Sequence, residues 1–258
     1  MTAGHPRARR PVIAGNWKMY KTQADTRAFF AAFAPLVASA EDCDMIVAPP
    51  YTSLSVAVES VKYTRVAIAA QNAYWQNEGA FTGEISMPMV ADTGATAVII
   101  GHSERRQFFG ETDHTVNKKL KAALAARLTP IVCVGESLAE REANHTHQVL
   151  ARQFEAGLDS LTPAEFSSIL IAYEPVWAIG TGKTATPDMA ASAHSYLRSL
   201  AAGRFSPEHA SAIRILYGGS VKPDNIKGLM SHQEIDGALV GGASLDPKSF
   251  AAIVNFHS

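Results

Sequence analysis

The sequence is poor in cysteine, has no excess of charge of either sign and contains no long apolar run. Its 258 residues include only Cys43 and Cys133, too few for a disulfide framework and without zinc-site spacing. A reducing, cytoplasmic environment is therefore expected. The formal net charge of -1 argues against nucleic acid or an anionic membrane as the main partner. No apolar run approaches the length that crosses a bilayer, so no membrane association is expected.

Nucleotide-binding and metal-binding motifs are also missing. No G-x-G-x-x-G follows an early strand, which argues against a dinucleotide-binding sheet. Residues 182–184 read GKT, as at the end of a P-loop, but the position where that motif requires its first glycine is Trp177. The histidines have no metal-ligand geometry, since even His145 and His147 do not share a helical face. No cofactor and no metal are expected.

Eight short apolar runs recur along the chain. They are continuous rather than alternating, as expected of strands buried on both faces. They span 12–17, 45–50, 66–72, 96–103, 130–137, 168–175, 213–220 and 237–244. Segments with helical spacing, such as 26–40 and 113–127, lie between them, which predicts right-handed crossovers and a parallel sheet. Eight units in this length predict a single-domain α/β fold, a closed (β/α)8 TIM barrel, with an open doubly wound sheet as the alternative.

The first ten residues, MTAGHPRARR, differ from the remainder of the chain. They are basic, contain little apolar surface and lack the hydrophobic core of a signal peptide. An organellar address is the alternative, but the segment has no serine and a poor amphipathic pattern. We therefore predict a disordered basic tail over 1–10 and a single catalytic barrel domain over 11–258.

Each apolar run ends in polar or turn-forming residues. In a parallel barrel the carboxyl ends of all strands lie on one face, where such folds keep their chemistry, so these groups are expected to converge. They are Asn16, Pro49-Pro50, Gln71-Asn72, His102, Glu136, Glu174, Gly218-Gly219-Ser220 and Gly241-Gly242.

Three of the strand ends carry groups suited to proton transfer or charge stabilisation. Glu174 precedes a proline and is a candidate base, although a solvated strand exit is the ordinary interpretation. His102 precedes a helix start with Ser103 as its expected cap. An imidazole at that positive helix end is biased to stay neutral and can donate to a carbonyl; the alternative is a structural histidine. Lys18 lies beside Asn16 and is either a surface charge or a ligand for an anion.

The loop after Glu174 combines apolar residues, glycines and small hydroxyls, which suits a lid that excludes water. The predicted lid consists of Pro175, Val176, Trp177, Ala178, Ile179, Gly180, Thr181, Gly182, Lys183 and Thr184. The segments YGGS (217–220) and VGGAS (240–244) follow the seventh and eighth runs, where this fold commonly cradles phosphate. Together these features favour proton abstraction next to a carbonyl in a small phosphorylated substrate.

Two other functions remain as alternatives. The first is another phosphate-binding barrel enzyme, such as an aldolase or a phosphoribosyl-handling enzyme. An aldolase would require a Schiff-base lysine inside a strand, and the eight runs contain none. A non-catalytic phosphate-binding protein with the same fold is the alternative from a different class.

Several stretches together resemble the triosephosphate isomerase family. They are AGNWKM (14–19), GAFTGEIS (79–86), IIGHSERR (99–106), VCVGE (132–136), AYEPVWAIGTGKTAT (172–186), ILYGGSV (215–221) and GALVGGASL (237–245). They occur in family order from about Pro11 to the C-terminus. The resemblance implies a glycolytic and gluconeogenic isomerase that interconverts dihydroxyacetone phosphate and D-glyceraldehyde 3-phosphate through an enediolate.

The same resemblance implies roles for individual residues. Glu174 would be the base, His102 would polarise the carbonyl and move protons between the oxygens, and Lys18 with Asn16 would stabilise phosphate and oxyanion. Glu104 would tune the site from beside Lys18. Phosphate would be held by backbone amides of Gly180, Ser220, Gly241 and Gly242. Ile179 and Leu239 would press on Glu174 when the lid closes, and Thr82 would reach the neighbour's site near Asn16 and His102 in a homodimer.

Overall fold

The computed structural model describes residues 9–179 and 185–257, and its centre is a closed barrel of eight parallel strands. Strands β1 to β8 span, in chain order, Val12–Asn16, Asp44–Ala48, Val66–Ala70, Ala97–Ile100, Thr129–Val134, Leu170–Tyr173, Arg214–Tyr217 and Gly237–Val240. Every strand lies within or next to one of the predicted apolar runs. The predicted fold class, a single-domain TIM barrel, is confirmed.

Helices surround the barrel. In the described residues, α1 to α12 span Gln23–Leu36, Leu54–Val61, Met87–Asp92, Ser103–Phe108, Asp113–Ala125, Leu138–Glu142, Thr146–Gly157, Pro163–Phe166, Pro187–Arg204, Pro207–Ala212, Ile226–Met230 and Pro247–Val254. Short 3-10 helices span Tyr51–Ser53, Val176–Ala178 and Gly242–Leu245. None of the described helices combines the length and the apolar character needed to cross a membrane.

Helix α1 begins three residues earlier than the predicted segment 26–40 and ends four residues earlier. Its start is set by a capping box, in which Thr22 accepts the backbone N–H of Asp25 and the Asp25 carboxylate accepts the N–H of Thr22. Apolar spacing carries no information about such a cap, so it misplaces the boundary. Helix α5 fits the predicted 113–127 to within two residues.

The barrel closes where β1 pairs with β8, in the register Val12↔Gly237. Gly237 has φ 153°, and a Cβ there would lie 1.8 Å from the carbonyl oxygen of Val12. Only glycine allows the two backbones to approach this closely. The closure of the sheet therefore depends on one residue without a side chain.

Two apolar layers explain why the strand runs are continuous. Side chains such as Val12, Ala14 and Leu239 fill the barrel interior, whereas Ile13 and Val240 pack outward against the helices. Successive residues of a strand point to opposite faces, so both faces of each strand must be apolar.

Two arginines that lie just before β1 form ion pairs with residues of the barrel. Arg9 Nε lies 2.6 Å from Asp236 Oδ1, and Arg10 Nε lies 2.6 Å from Asp44 Oδ1. Asp236 is 2% exposed and also pairs with Arg198 at 2.8 Å. Arg9 and Arg10, which fall within the predicted tail, thus contact the barrel. Residues 1–8 lie outside the described residues.

A buried histidine on α9 should make stability depend on pH. His194 is fully buried, its Nδ1 is 3.1 Å from the carbonyl oxygen of Glu234, and burial lowers its pKa to about 3. In the unfolded chain it titrates near its ordinary pKa of about 6.5. The unfolded state therefore binds more protons between these values, and stability present above about pH 6.5 is lost as the pH falls.

We expect the wild type to lose about 1.4 kcal/mol more unfolding free energy per pH unit below about pH 6 than His194→Asn, whose amide keeps the donor to Glu234. Urea unfolding at pH 7, 6 and 5, at one protein concentration, measures this. The exposed His114→Asn serves as the control and should follow the wild type. Equal pH slopes for all three proteins would refute the assignment to His194.

Candidate active site

A cavity of about 710 Å³ opens at the carboxyl ends of the strands. Most of the predicted strand-end groups line it, namely Asn16, His102, Glu174, Gly218-Gly219-Ser220 and Gly241-Gly242, together with Lys18, Ile179 and Leu239. Pro49-Pro50, Gln71-Asn72 and Glu136 do not line it. The cavity lining thus includes the predicted groups after β1, β4, β6, β7 and β8, whereas those after β2, β3 and β5 lie outside it. Gln71 nevertheless contacts Lys18 of the lining.

Glu174 follows β6 and is held against the start of α4. It is 2% exposed, its Oε2 accepts the backbone N–H of Ser103 at 2.9 Å, and its Oε1 lies 2.9 Å from His102 Nε2. A Cβ on Gly218 would lie 2.8 Å from Glu174 Cγ, so the glycine-rich loop after β7 leaves room for this carboxylate. The carboxylate is buried, but both of its oxygens have polar partners, and these contacts offset the free-energy cost of burying a charge among apolar strands.

Burial raises the pKa of Glu174, whereas His102, the Ser103 N–H and Lys18 lower it, and the net direction is downward. A lowered pKa keeps the group ionised at neutral pH. Glu174 is therefore available as a base without prior deprotonation.

His102, and not Ser103, caps helix α4. Its Nδ1 accepts the backbone N–H of Glu104 at 3.2 Å, while Ser103 is the first helical residue and turns its N–H toward Glu174. The predicted cap is therefore wrong by one residue, because an imidazole nitrogen can accept at this position as a serine hydroxyl does. With Nδ1 as an acceptor, the proton of the neutral ring lies on Nε2, the atom that faces Glu174.

Burial lowers the pKa of His102, but the Glu174 and Glu104 carboxylates raise it, and the net direction in this pair is upward. The main upward contribution comes from Glu174. The charge state of the imidazole is therefore coupled to the position of that carboxylate.

Lys18 follows β1 in a left-handed conformation, φ 53°, that is uncommon outside glycine. Two side chains hold it: the Lys18 N–H donates to Asn16 Oδ1 at 3.0 Å, and Gln71 Nε2 donates to the Lys18 carbonyl at 2.8 Å. Lys18 Nζ lies 2.6 Å from Glu104 Oε1, as the resemblance implies. Asn16 thus positions the lysine through its backbone.

The two glycine-rich segments lie side by side in the cavity lining. Ser220 is held by Asn225, whose Nδ2 donates to the Ser220 carbonyl at 3.0 Å. The carbonyl of Gly241 accepts the Ser244 N–H at 2.8 Å, so Gly241 precedes the 3-10 turn that begins at Gly242. Of the predicted phosphate ligands, Gly180 lies outside the described residues.

The predicted lid is described for its first half only. Pro175, Val176, Trp177, Ala178 and Ile179 are described, whereas Gly180, Thr181, Gly182, Lys183 and Thr184 lie outside the described residues. In the described half, Trp177 Nε1 donates to the fully buried Glu136 at 2.9 Å, and the Arg141 guanidinium lies 4.6 Å from the Trp177 ring centroid. Glu136 therefore supports the base of the loop rather than the cavity.

Thr82 lies in the segment between β3 and α3 and is exposed in the isolated chain. That segment is closed at its base by the Tyr74 N–H, which donates to the Ile85 carbonyl at 2.7 Å. Thr82 is not part of its own chain's cavity lining.

Three contributors to the site were not predicted as such. Ser103 holds the Glu174 carboxylate, Gln71 holds the Lys18 backbone, and Asn225 holds Ser220. Two of them carried a signal, because Ser103 directly follows His102 and Gln71 ends the third apolar run. Asn225 acts from the loop after β7, and sequence spacing does not reveal its contact with Ser220. In the described part of the chain, no group of three or more His, Cys, Asp or Glu side chains is arranged to hold a metal ion.

Comparison with known proteins agrees with this geometry. The sequence model of the family described as triosephosphate isomerase matches residues 11–257. The triosephosphate isomerase of Solibacter usitatus is 60% identical over 248 residues, covering 96% of this chain and 100% of that protein. That of Citrifermentans bemidjiense is 55% identical, covering 96% and 99%. The crystal structure of triosephosphate isomerase from Bartonella henselae superimposes with a TM-score of 0.87 at 38% identity, covering 96% and 99%. The chain therefore belongs to the triosephosphate isomerase family.

Proposed function

We propose that this chain interconverts dihydroxyacetone phosphate and D-glyceraldehyde 3-phosphate, the aldose–ketose isomerisation of glycolysis and gluconeogenesis. The observation that carries the proposal is the contact between an ionised, buried Glu174 and the Nε2 of His102 at the wall of a cavity that also holds Lys18. Such a set supplies a base, a neutral donor and a cation at one carbonyl. Family membership supports the same reaction.

The phosphate end of the substrate is assigned to the glycine-rich segments. Backbone amides of Ser220, Gly241 and Gly242 are suited to a phosphate dianion because no side chain blocks their approach. Lys18 adds a positive charge close to Gly241, and Asn16 maintains the conformation of Lys18. Gly180 of the lid is the remaining proposed ligand.

Substrate binding requires an exchange of hydrogen-bond partners. In this structure Glu174 contacts both the Ser103 N–H and the His102 Nε2. To reach a substrate carbon, the carboxylate must leave Ser103, and the imidazole N–H then becomes available to the substrate carbonyl. Once Glu174 has moved, its upward effect on the His102 pKa decreases, which favours a neutral ring at the helix N-terminus.

The proton balance of the reaction follows from these positions. Glu174 removes a proton from C1 of dihydroxyacetone phosphate, a C1–C2 double bond forms, and the carbonyl electron pair moves to O2. Lys18 and the His102 N–H stabilise this oxyanion, and His102 transfers a proton between O1 and O2. Protonated Glu174 then returns a proton to C2, which leaves the aldehyde at C1. Ile179 and Leu239, which line the same cavity as Glu174, would exclude water from this step.

Conversion of glyceraldehyde 3-phosphate is measured by coupling product formation to NADH oxidation through glycerol 3-phosphate dehydrogenase. Conversion of glyceraldehyde, whose product dihydroxyacetone carries no phosphate for that enzyme to recognise, is followed by proton NMR. We expect rapid conversion of glyceraldehyde 3-phosphate and much slower conversion of glyceraldehyde, which lacks the phosphate that the glycine loops hold. Equal rates for the two substrates would contradict the phosphate assignment. No conversion of either by correctly folded protein would contradict the proposed function.

We also infer that two copies of the chain form a homodimer through the segments after β1, β3 and β4. Large apolar side chains are unusually exposed there, which supports burial by a partner. They are Met19 at 93%, Tyr20 at 59%, Phe81 at 40%, Met89 at 52%, Phe108 at 66% and Phe109 at 67%. In the barrel β3 and β4 are neighbours and only β2 separates them from β1, so these segments lie close together on the face that carries the cavity. Thr82 would then reach the partner's cavity near Asn16 and His102.

Analytical ultracentrifugation should give the mass of two chains for the wild type and a monomer fraction for Thr82→Arg. A charge buried without a partner in the interface should raise the dissociation constant at least about tenfold, and activity should fall with the dimer. The control is Thr96→Arg, an exposed threonine that precedes β4 on the opposite face of the barrel. A monomeric wild type, or an undisturbed Thr82→Arg dimer, would contradict the inference.

The proposed location is the cytoplasm. Both cysteines, Cys43 and Cys133, are free and buried, which agrees with a reducing compartment. We propose no nucleic acid or membrane partner, because the net charge is close to zero.

A further inference from the structure

The cavity continues past the phosphate cradle to a rim formed by the segment after Ser220. Its lining there includes Lys222, Pro223 and Asp224, so one cation and one carboxylate border the same entrance. The reaction described above uses neither. We propose that Lys222 captures the phosphate dianion of the substrate from solution, and that Asp224 opposes this capture; the proposal rests on the proposed function.

The backbone of Lys222 is held next to the cradle by one side chain. Asn225 Oδ1 accepts the Lys222 N–H at 2.8 Å, and Asn225 Nδ2 donates to the Ser220 carbonyl at 3.0 Å. The Lys222 carbonyl accepts the N–H groups of Asn225 at 3.2 Å and Ile226 at 3.1 Å. The start of the lysine side chain is therefore at a set position two residues from a proposed phosphate ligand, while the side chain itself is exposed.

The charge of Lys222 is available to a mobile anion. Lys18, the other described lysine of the cavity lining, is paired with Glu104 at 2.6 Å. Lys222 forms no ion pair with any carboxylate of the described residues, Asp224 included. An unpaired cation at a cavity mouth raises the local concentration of an anionic substrate and its rate of association. Lys18 is therefore suited to stabilising bound substrate, and Lys222 to collecting it.

The expected size of the effect follows from Coulomb's law. A dianion and a single charge about 8 Å apart in water interact strongly enough to change association on the order of three- to sixfold at low ionic strength. The effect should disappear in about 1 M salt, where the Debye length is about 3 Å. It should act on kcat/KM and leave kcat unchanged, since Lys222 is assigned no contact with the reacting atoms.

The test compares four variants in the coupled assay at low and high salt. Lys222→Gln should lower kcat/KM about threefold or more, Asp224→Asn should raise it by a similar factor, and the double variant should lie near the wild type. Lys227→Gln is the matched control, because this exposed lysine of α11 does not line the cavity. The inhibition constant for inorganic phosphate should move in the opposite direction to kcat/KM, rising in Lys222→Gln and falling in Asp224→Asn.

Opposite effects of two neighbouring charges, both removed by salt, would not arise from a local structural change. The proposal is overturned if Lys222→Gln and Lys227→Gln behave alike, if the Lys222→Gln loss persists in 1 M salt, or if it falls on kcat. An inactive wild type would instead overturn the proposed function. In that case calorimetric titration with inorganic phosphate would still test Lys222.

Discussion

Replacing Glu174 by glutamine should lower kcat at least about 10²–10⁴-fold and leave the fold intact. The amide keeps the size of the side chain and an oxygen that can accept the Ser103 N–H, but it has no basic oxygen with which to remove a carbon-bound proton. KM should change little, because the proposed phosphate contacts lie in other loops. Steady-state kinetics of the wild type and Glu174→Gln in the coupled assay measures kcat and KM separately.

Glu174→Asp is the matched control for this prediction. It retains the carboxylate but shortens the chain by one methylene, so the base should be misplaced rather than lost and the activity should be intermediate. Circular dichroism and thermal unfolding should show intact folding of both variants. Full activity of Glu174→Gln would exclude Glu174 as the base.

The second large effect is expected at His102, where alanine should lower kcat about 10²–10³-fold and change phosphate affinity much less. The variant removes the N–H that stabilises the developing oxyanion and the group that moves protons between the oxygens. It also removes the cap of α4, because Nδ1 no longer accepts the Glu104 N–H. We therefore also expect the unfolding free energy of His102→Ala to fall by about 1 kcal/mol, and part of its loss of turnover would come from this structural effect.

His102→Asn separates the two contributions. Asparagine is a good N-cap and should restore stability, but it has no ring nitrogen that exchanges protons. We expect His102→Asn to regain thermal stability and to remain slow. If the asparagine variant regained wild-type turnover, His102 would be a capping residue only. If His102→Ala or His102→Asn lost only affinity for inorganic phosphate and kept its kcat, the proposed role of His102 would be wrong.

The barrel was predictable from the sequence because its physical requirements are local and repeated. Each strand must be apolar on both faces, so eight continuous runs mark the eight strands. Helix ends were less predictable, as α1 shows, because Thr22 and not the apolar spacing determines where the helix begins.

The site was predictable where the barrel itself places side chains at its mouth, as for Asn16, His102 and Glu174. The site was not predictable where a side chain at a strand end points away from the cavity. Glu136 follows β5 as Glu174 follows β6, yet it binds Trp177, Tyr173 and Arg141 instead of lining the cavity. That choice depends on tertiary partners that strand periodicity does not encode.

The most direct test of the central claim is hydrogen exchange at C1 of dihydroxyacetone phosphate. The substrate is incubated in deuterium oxide with wild type or with Glu174→Gln, and the C1 protons are followed by proton NMR. Removal of a C1 proton by Glu174 predicts that the wild type replaces one of the two C1 protons by deuterium and that Glu174→Gln leaves both in place. Isomerisation by the wild type with no deuterium at either carbon, even after long incubation, would indicate direct hydrogen transfer and contradict the account.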